Sequence, residues 1–254
     1  MFWLHCRPGQ QLRWSPGVNP EAPVSGTPLG TLVIPVRNEA QQITAALAAL
    51  PAAVWEHWRV RVVDGGSEDD TLVQARAFPV EALSSAPGRA RQMNAGARDA
   101  VGHWLVFLHV DTRLPADFQQ QILTLANTSV QWGRFDVTLE PQRWPFPLIA
   151  WFINQRSALT GVCTGDQTLF VRRDFFQALG GFADIPLMED VAFSLRARRH
   201  CRPLRLRSRV RTSARRWQRH GVVKTVLLMW WLRLAYRLGV SPHRLHHWYY
   251  GSSG

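Results

Sequence analysis

An apolar run, Leu105-Val106-Phe107-Leu108, ends in His109-Val110-Asp111-Thr112. This puts a carboxylate at what reads as the C-terminal edge of a strand, where open α/β sheets carry their chemistry. An aspartate there can hold a divalent cation, and a cation can neutralise a pyrophosphate as it leaves. The same residue can equally be a solvated loop acid. A second set of acids, Glu189-Asp190, opens a segment of helical pattern. The helix dipole favours carboxylates in that place, and a general base needs the same residue type with a face open to substrate. A third acid, Asp64, closes the run Val60-Arg61-Val62-Val63 and precedes Gly65-Gly66. Two glycines there make either a tight turn or a close backbone approach to a ligand.

These acids need elements to hold them. Thr31 to Val36 is β-branched and apolar, which predicts a buried first strand, with Arg37-Asn38-Glu39 as the loop beyond it. Asn38 is placed to cap a helix over 39–50, where Ile43, Leu47 and Leu50 recur at helical spacing before Pro51. Ser67 and Asp70 have capping-box spacing ahead of a second helix. A third helix follows Pro87-Gly88 and carries Arg89, Arg91, Gln92, Asn94 and Arg98; a fourth runs from Pro115 to about Ala126. Alternating strands and helices predict a mostly parallel, doubly wound sheet. With neither GxGxxG nor a P-loop, a dinucleotide or triphosphate site of those kinds is unsupported.

Further on, residues 144–153 are aromatic enough either to line a greasy acceptor pocket or to form a helix over the sheet edge. Gly165-Asp166-Gln167 leads into the strand-like Thr168 to Val171, a helix over 173–179, and the helix that Glu189-Asp190 opens, running to His200. A basic strand over 204–211 and an apolar stretch over 222–238 close the pattern. Lys224, Arg233 and Arg237 interrupt that stretch, too many cations for a span of this length. It reads as a helix lying in a membrane interface with its cations on lipid phosphate, or as a helix packed on the domain.

The net charge of +12 is that of a nucleic-acid binder, but its distribution is not. From Val191 onward there are 15 basic residues and no acid, so the other 15 basic residues face all 18 acids, a balance of −3. Charge alone would favour nucleic acid; it leaves the earlier carboxylates unexplained. Three cysteines, Cys6, Cys163 and Cys201, with no CxxC spacing fit a reduced cytoplasmic setting. Residues 1–29 read as a loose N-terminal extension without the apolar core of an export signal.

In this order, Val33-Ile34-Pro35-Val36-Arg37-Asn38-Glu39, Val63-Asp64-Gly65-Gly66-Ser67, the Asp111 strand end and Glu189-Asp190 resemble the inverting family 2 glycosyltransferases. Gly88 to Gly96, Phe107 to Thr112 and Gly165-Asp166-Gln167 look like one bacterial subgroup, the radical-SAM/selenodomain-associated transferase 2 set. The resemblance implies a GT-A fold, an α/β Rossmann-like and mostly parallel sheet over 30–220, followed over 221–254 by a C-terminal amphipathic, membrane-associated helical segment. It implies a nucleotide-sugar donor, UDP-linked by family habit, with Mn²⁺ or Mg²⁺ as the cation. Pro35, Asn38 and Glu39 would border the base and ribose, Asp64 would bind the nucleotide, and Arg89 to Asn94 would flank the diphosphate. Asp111, Gly165 and Asp166 would complete the donor site and Asp190 would be the general base. His109 stands where the family's DxD motif has its first aspartate, either as a second metal ligand or as a neighbour. Arg216-Trp217 resembles the end of the QxxRW motif of processive members, with Ser213 in place of its glutamine, so Arg216 would contact diphosphate while polymer synthesis is not implied. The expected setting is peripheral, on the inner face of the cytoplasmic membrane, with an anionic membrane surface and a lipid or small apolar acceptor as partners and no nucleic acid.

Overall fold

The structure, a computed structural model, describes residues 28–251. The N-terminal extension expected over 1–29 therefore lies outside the described residues except for its last two. The first half alternates as the apolar runs require. Strand β1 (Gly30–Val36) is followed by α1 (Ala40–Ala48) and α2 (Ala52–His57), then β2 (Trp58–Asp64), α3 (Thr71–Ala75), β3 (Glu81–Ser84), α4 (Arg89–Ala97) and β4 (Trp104–Phe107). β1 pairs in parallel with β2 and β4, and β2 with β3, so Val36, Asp64, Ser84 and Phe107 end at one edge.

The second half departs from the mostly parallel expectation. Short β5 (Thr112–Arg113), α5 (Phe118–Leu123), β6 (Trp132–Glu140), α6 (Phe146–Thr160), a 3₁₀ turn (Gly165–Gln167), β7 (Leu169–Arg172), α7 (Arg173–Ala178), α8 (Glu189–Ala197) and β8 (Leu204–Ser213) complete a mixed sheet, ordered β3-β2-β1-β4-β7-β6-β8-β5. β7 is antiparallel to both β4 and β6, and β5 is antiparallel to β8. The reversal matters: β7 begins where β4 ends, Phe107 opposite Leu169, so the Gly165–Gln167 turn lands beside the His109–Asp111 loop.

Both faces of the sheet are covered. Ile43, Leu47, Val54, Phe118 and Ile122 pack on one face, and Met93, Phe176, Phe182 and Phe193 on the other. α4 approaches closely because Gly96 has no side chain; a Cβ there would overlap Val33 and Val63. Gln92 is buried in the same helix, and its amide Nε2 donates to Val36 O (2.7 Å) and Val63 O (2.9 Å), holding the ends of β1 and β2 together.

Two capping expectations give way to tertiary bonds. α1 starts after Glu39 with no side-chain cap, and Asn38 Oδ1 instead accepts from the Glu68 amide (2.9 Å). Ser67 and Asp70 form no capping box, because the Ser67 hydroxyl and amide both donate to Asp64.

The chain ends in α9 (Arg215–His220), α10 (Val222–Arg237) and α11 (Pro242–Tyr250). α10 packs on the domain: Leu232, Ala235 and Leu245 of α10 and α11 bury against Val162, Met188 and Val191. Its outer face leaves Leu227, Trp230, Trp231 and Leu234 exposed. Among the described residues no helix is long and apolar enough to cross a membrane.

Candidate functional site

The strand edge feeds one pocket of about 210 Å³. The loop after β4 delivers His109 and Asp111, the turn before β7 delivers Gly165 and Asp166, α4 delivers Arg89, and α8 delivers Glu189 and Asp190. Local bonds set each in place. Ser194 on α8 bonds both backbone groups of Cys163 (3.0 and 3.2 Å), and Thr164 with Gln167 closes a capping box around the Gly165 turn. Asp190 Oδ2 then accepts from the Gly165 amide (2.8 Å) while Oδ1 accepts from Val191 (2.7 Å), fixing the base candidate's rotamer. Just before these acids Met188 sits at φ 71°. A left-handed non-glycine residue costs on the order of 1 kcal/mol or more, and such strain concentrates at functional sites.

Electrostatics separate the acids. Glu189 is 4 % exposed. Burial first, and repulsion from Asp190 second, push its carboxyl up to about 7 against the pull of Arg89, whose guanidinium is 3.9 Å away. Burial also raises Asp111, opposed by Arg89, the Thr112 hydroxyl and Arg215. Glu39 is raised by burial too; Arg215 opposes, while Asp111 and Asp69 add repulsion. His109 is pushed down to about 3 by burial and then by Arg89, so its imidazole is neutral.

A raised carboxyl in the folded state holds its proton more tightly than the unfolded chain does. Stability then falls as pH rises from the ordinary 4.5 through about 7. The depressed His109 works in the opposite sense between about 3 and 6.5. Glu189→Gln therefore isolates the first effect: its melting temperature, relative to wild type, should climb between pH 5 and 7.5. A constant difference across that range would show that Glu189 does not titrate there.

The fit to a divalent cation rests on Asp111. Among the described residues its carboxylate makes one long side-chain bond, to the Thr112 hydroxyl (3.3 Å), leaving lone pairs to offer. His109 fits less well, because its Nε2 is buried, without a partner among the described residues, and faces Gly165 so closely that a Cβ there would overlap it. Among the described residues no three His, Cys, Asp or Glu side chains gather as a metal cage. The set suits a magnesium-type ion that keeps waters and phosphate oxygens and takes one carboxylate.

The remaining expected residues fall elsewhere. Pro35, Asn38, Glu39 and Asp64 stand at the ends of β1 and β2, beside the pocket and not in its wall. Asp64 is 4 % exposed and accepts from Gly66 N, Ser67 N and Ser67 Oγ. Asn94 does not reach the pocket; its amide clamps both backbone groups of Phe182 (2.8 and 2.9 Å). Arg216 lies on α9, its side chain outside what the structure describes. Of the three α10 cations, Arg233 alone is in the pocket wall, while Lys224 and Arg237 are exposed. Thr225, Met229, Leu232 and Arg233 share one helical face, and that face lines the pocket. The signal was the i, i+4, i+7, i+8 spacing.

Comparison with known proteins bears on the family and the fold. The family model described as "Glycosyl transferase family 2" matches residues 31–179. An uncharacterized glycosyltransferase of Haemophilus influenzae is 23% identical over 178 residues, 65% of this chain and 60% of that protein. The chain thus spans about 60% of the length of that curated relative. Among solved structures, S. aureus TarS 1-349 in complex with UDP superposes with a TM-score of 0.57 at 15% identity, over 72% of this chain and 60% of that one. The mannosyltransferase PcManGT from Pyrobaculum calidifontis, in complex with GDP-Man and Mn²⁺, gives a TM-score of 0.55 at 20% identity, over 92% and 72%.

Proposed function

The chain belongs to glycosyl transferase family 2, and from that premise we propose that it is a metal-assisted, inverting transferase of a nucleotide-linked sugar. The observation that carries the reading is the convergence of Arg89, Asp111 and Asp190 on one pocket at the C-terminal edge of the parallel strands. Asp190 takes the proton of an acceptor hydroxyl as its oxygen bonds to the anomeric carbon and the bond from that carbon to the diphosphate breaks. Arg89 lies beside the departing charge. A divalent cation held by Asp111 supplies further positive charge to the leaving diphosphate. Glu39, Asn38 and Asp64, with Pro35, border the nucleoside at the ends of β1 and β2. Solved relatives with UDP, or with GDP-Man and Mn²⁺, support a nucleotide-sugar donor and a divalent cation; the uridine form rests on family habit. The motif order favours the radical-SAM/selenodomain-associated subgroup.

The reading extends to a peripheral position on the inner face of a membrane with an anionic surface, and to a lipid or small apolar acceptor. Trp144, Trp151 and Phe152 around α6 and Trp230 and Trp231 on α10 are exposed aromatics, and exposed Lys224 and Arg237 add positive charge.

Calorimetric titration tests the donor site. UDP or GDP should bind more tightly with Mn²⁺ than with EDTA, and Asp111→Ala should remove that gain, about 10–100-fold by analogy with lost metal-shell groups. Affinity indifferent to Mn²⁺ in the wild type would sink the metal reading.

A further inference from the structure

One arginine in the pocket wall and one behind it, bonded to the wall residue Thr164, have no carboxylate partner among the described residues. Arg233 enters from α10, and its Nε is buried without a hydrogen bond or ion pair among the described residues. Arg156 comes from α6; its Nε is also buried and unpartnered, and its two other nitrogens make only long bonds of 3.4 Å to Val162 O and the Thr164 hydroxyl. Burial, and next the Arg233 charge, pull the Arg156 guanidinium down to about 10, so the two cations lie close enough to repel. Asp166 and Asp190 attract Arg156, yet no carboxylate among the described residues comes within 4.0 Å of either guanidinium, and Asp166 Oδ1 is itself buried without a partner.

Forked donors of fixed geometry suit a carboxylate or phosphate better than a lone acid elsewhere in the fold. These arginines stand on α6 and α10, elements that take no part in holding the ends of β1, β2 and β4 where the donor's diphosphate is read. Beside Arg233 the wall is apolar, formed by Met229 and Leu232. We propose that the acceptor is an acidic amphiphile, its carboxylate or phosphate lying between Arg156 and Arg233 and its apolar body against α10. The charged group is an anchor, and a separate hydroxyl is the one that reacts with Asp190 as base. The proposal rests on the glycosyl-transfer reading and names the acceptor class for it.

The test is calorimetry on the full chain with decanoate, decyl phosphate, decanol and inorganic phosphate, each with and without saturating UDP and Mn²⁺. Decanoate or decyl phosphate should bind at least tenfold more tightly than decanol or inorganic phosphate, and UDP should not displace it. Which of the two binds better separates an acid from a phosphate head group, and the weakness of inorganic phosphate separates an amphiphile from a free ion. Arg233→Gln and Arg156→Gln should each weaken the anionic probe at least tenfold. Arg233→Met, which removes a half-buried cation with no carboxylate within 4.0 Å among the described residues, should melt no lower than wild type without ligand; a purely structural arginine would lower it. Equal binding of decanol and decanoate, full retention in both Gln variants, or displacement by UDP would each overturn the proposal. The donor reading fails on a different result, the absence of any nucleoside diphosphate binding.

Discussion

Asp190→Asn should lower turnover by on the order of 10²–10⁴-fold, the range general-base catalysis contributes, while nucleoside diphosphate affinity stays within a few fold. Asparagine keeps the shape and still offers an oxygen to the Gly165 amide, the bond that fixes the turn beside His109. What it loses is the ability to take a proton. The neighbouring acid makes the comparison sharp. Glu189 is raised to about 7 and is almost fully buried, so at neutral pH much of it already carries a proton. If Glu189 were the base, Glu189→Gln would cause the larger loss and Asp190→Asn the smaller. Steady-state rates for both variants, with donor affinity measured separately, decide between them.

Asp136→Ala should cost about 3–5 kcal/mol of stability, the usual cost of stripping one partner from a buried ion pair. Asp136 on β6 is buried, accepts from Arg134 of the same strand, and takes Arg205 of β8 at 2.8 and 2.9 Å. Arg134 is 1 % exposed and reaches on to Asn154 O of α6 (2.9 Å). The cluster sits at the register shift between Phe135 and Asp136, where it joins β6, β8 and the helix that carries Arg156. Removing the acid leaves a guanidinium buried without its counter-charge. Replacing Arg134 by Met and Asp136 by Leu together should recover most of the loss, since the only charge then left without its partner is Arg205, whose side chain is 30% exposed to water. Urea midpoints for the single and double variants measure both, and a loss under 1 kcal/mol in Asp136→Ala would mean that the cluster is solvated.

The parts of this site that were legible in the sequence are those built from neighbours. The Asp111 edge, the Asp64 turn and the Glu189-Asp190 start each declare themselves by an apolar run that stops at an acid. Their strands and helices begin and end close to where the periodicity puts them. What stayed hidden depends on distant partners. β6 alternates Phe135, Val137 and Leu139 on one face with Arg134 and Asp136 on the other, and both faces are buried, which the alternation alone does not reveal. The clamp of Asn94 on Phe182 spans 88 residues, a partner that no local pattern around Asn94 points to. The antiparallel entry of β7 is invisible to element alternation, which counts strands without giving their direction. α11 went unread because Pro242–Tyr250 is short and rich in His and Tyr, with little of the apolar stripe that marks a buried helix.

The central claim, transfer from a nucleotide sugar at the Asp111 and Asp190 pocket, is tested most directly by nucleoside diphosphate release. The purified protein would be offered UDP- and GDP-linked hexoses with Mn²⁺, with and without decanoate or decyl phosphate carrying a terminal hydroxyl. Mn²⁺-dependent release from at least one donor, stimulated by the acidic acceptor and lost in Asp111→Ala and Asp190→Asn, is the predicted result. No release from any donor, or release undiminished in both variants, would contradict it.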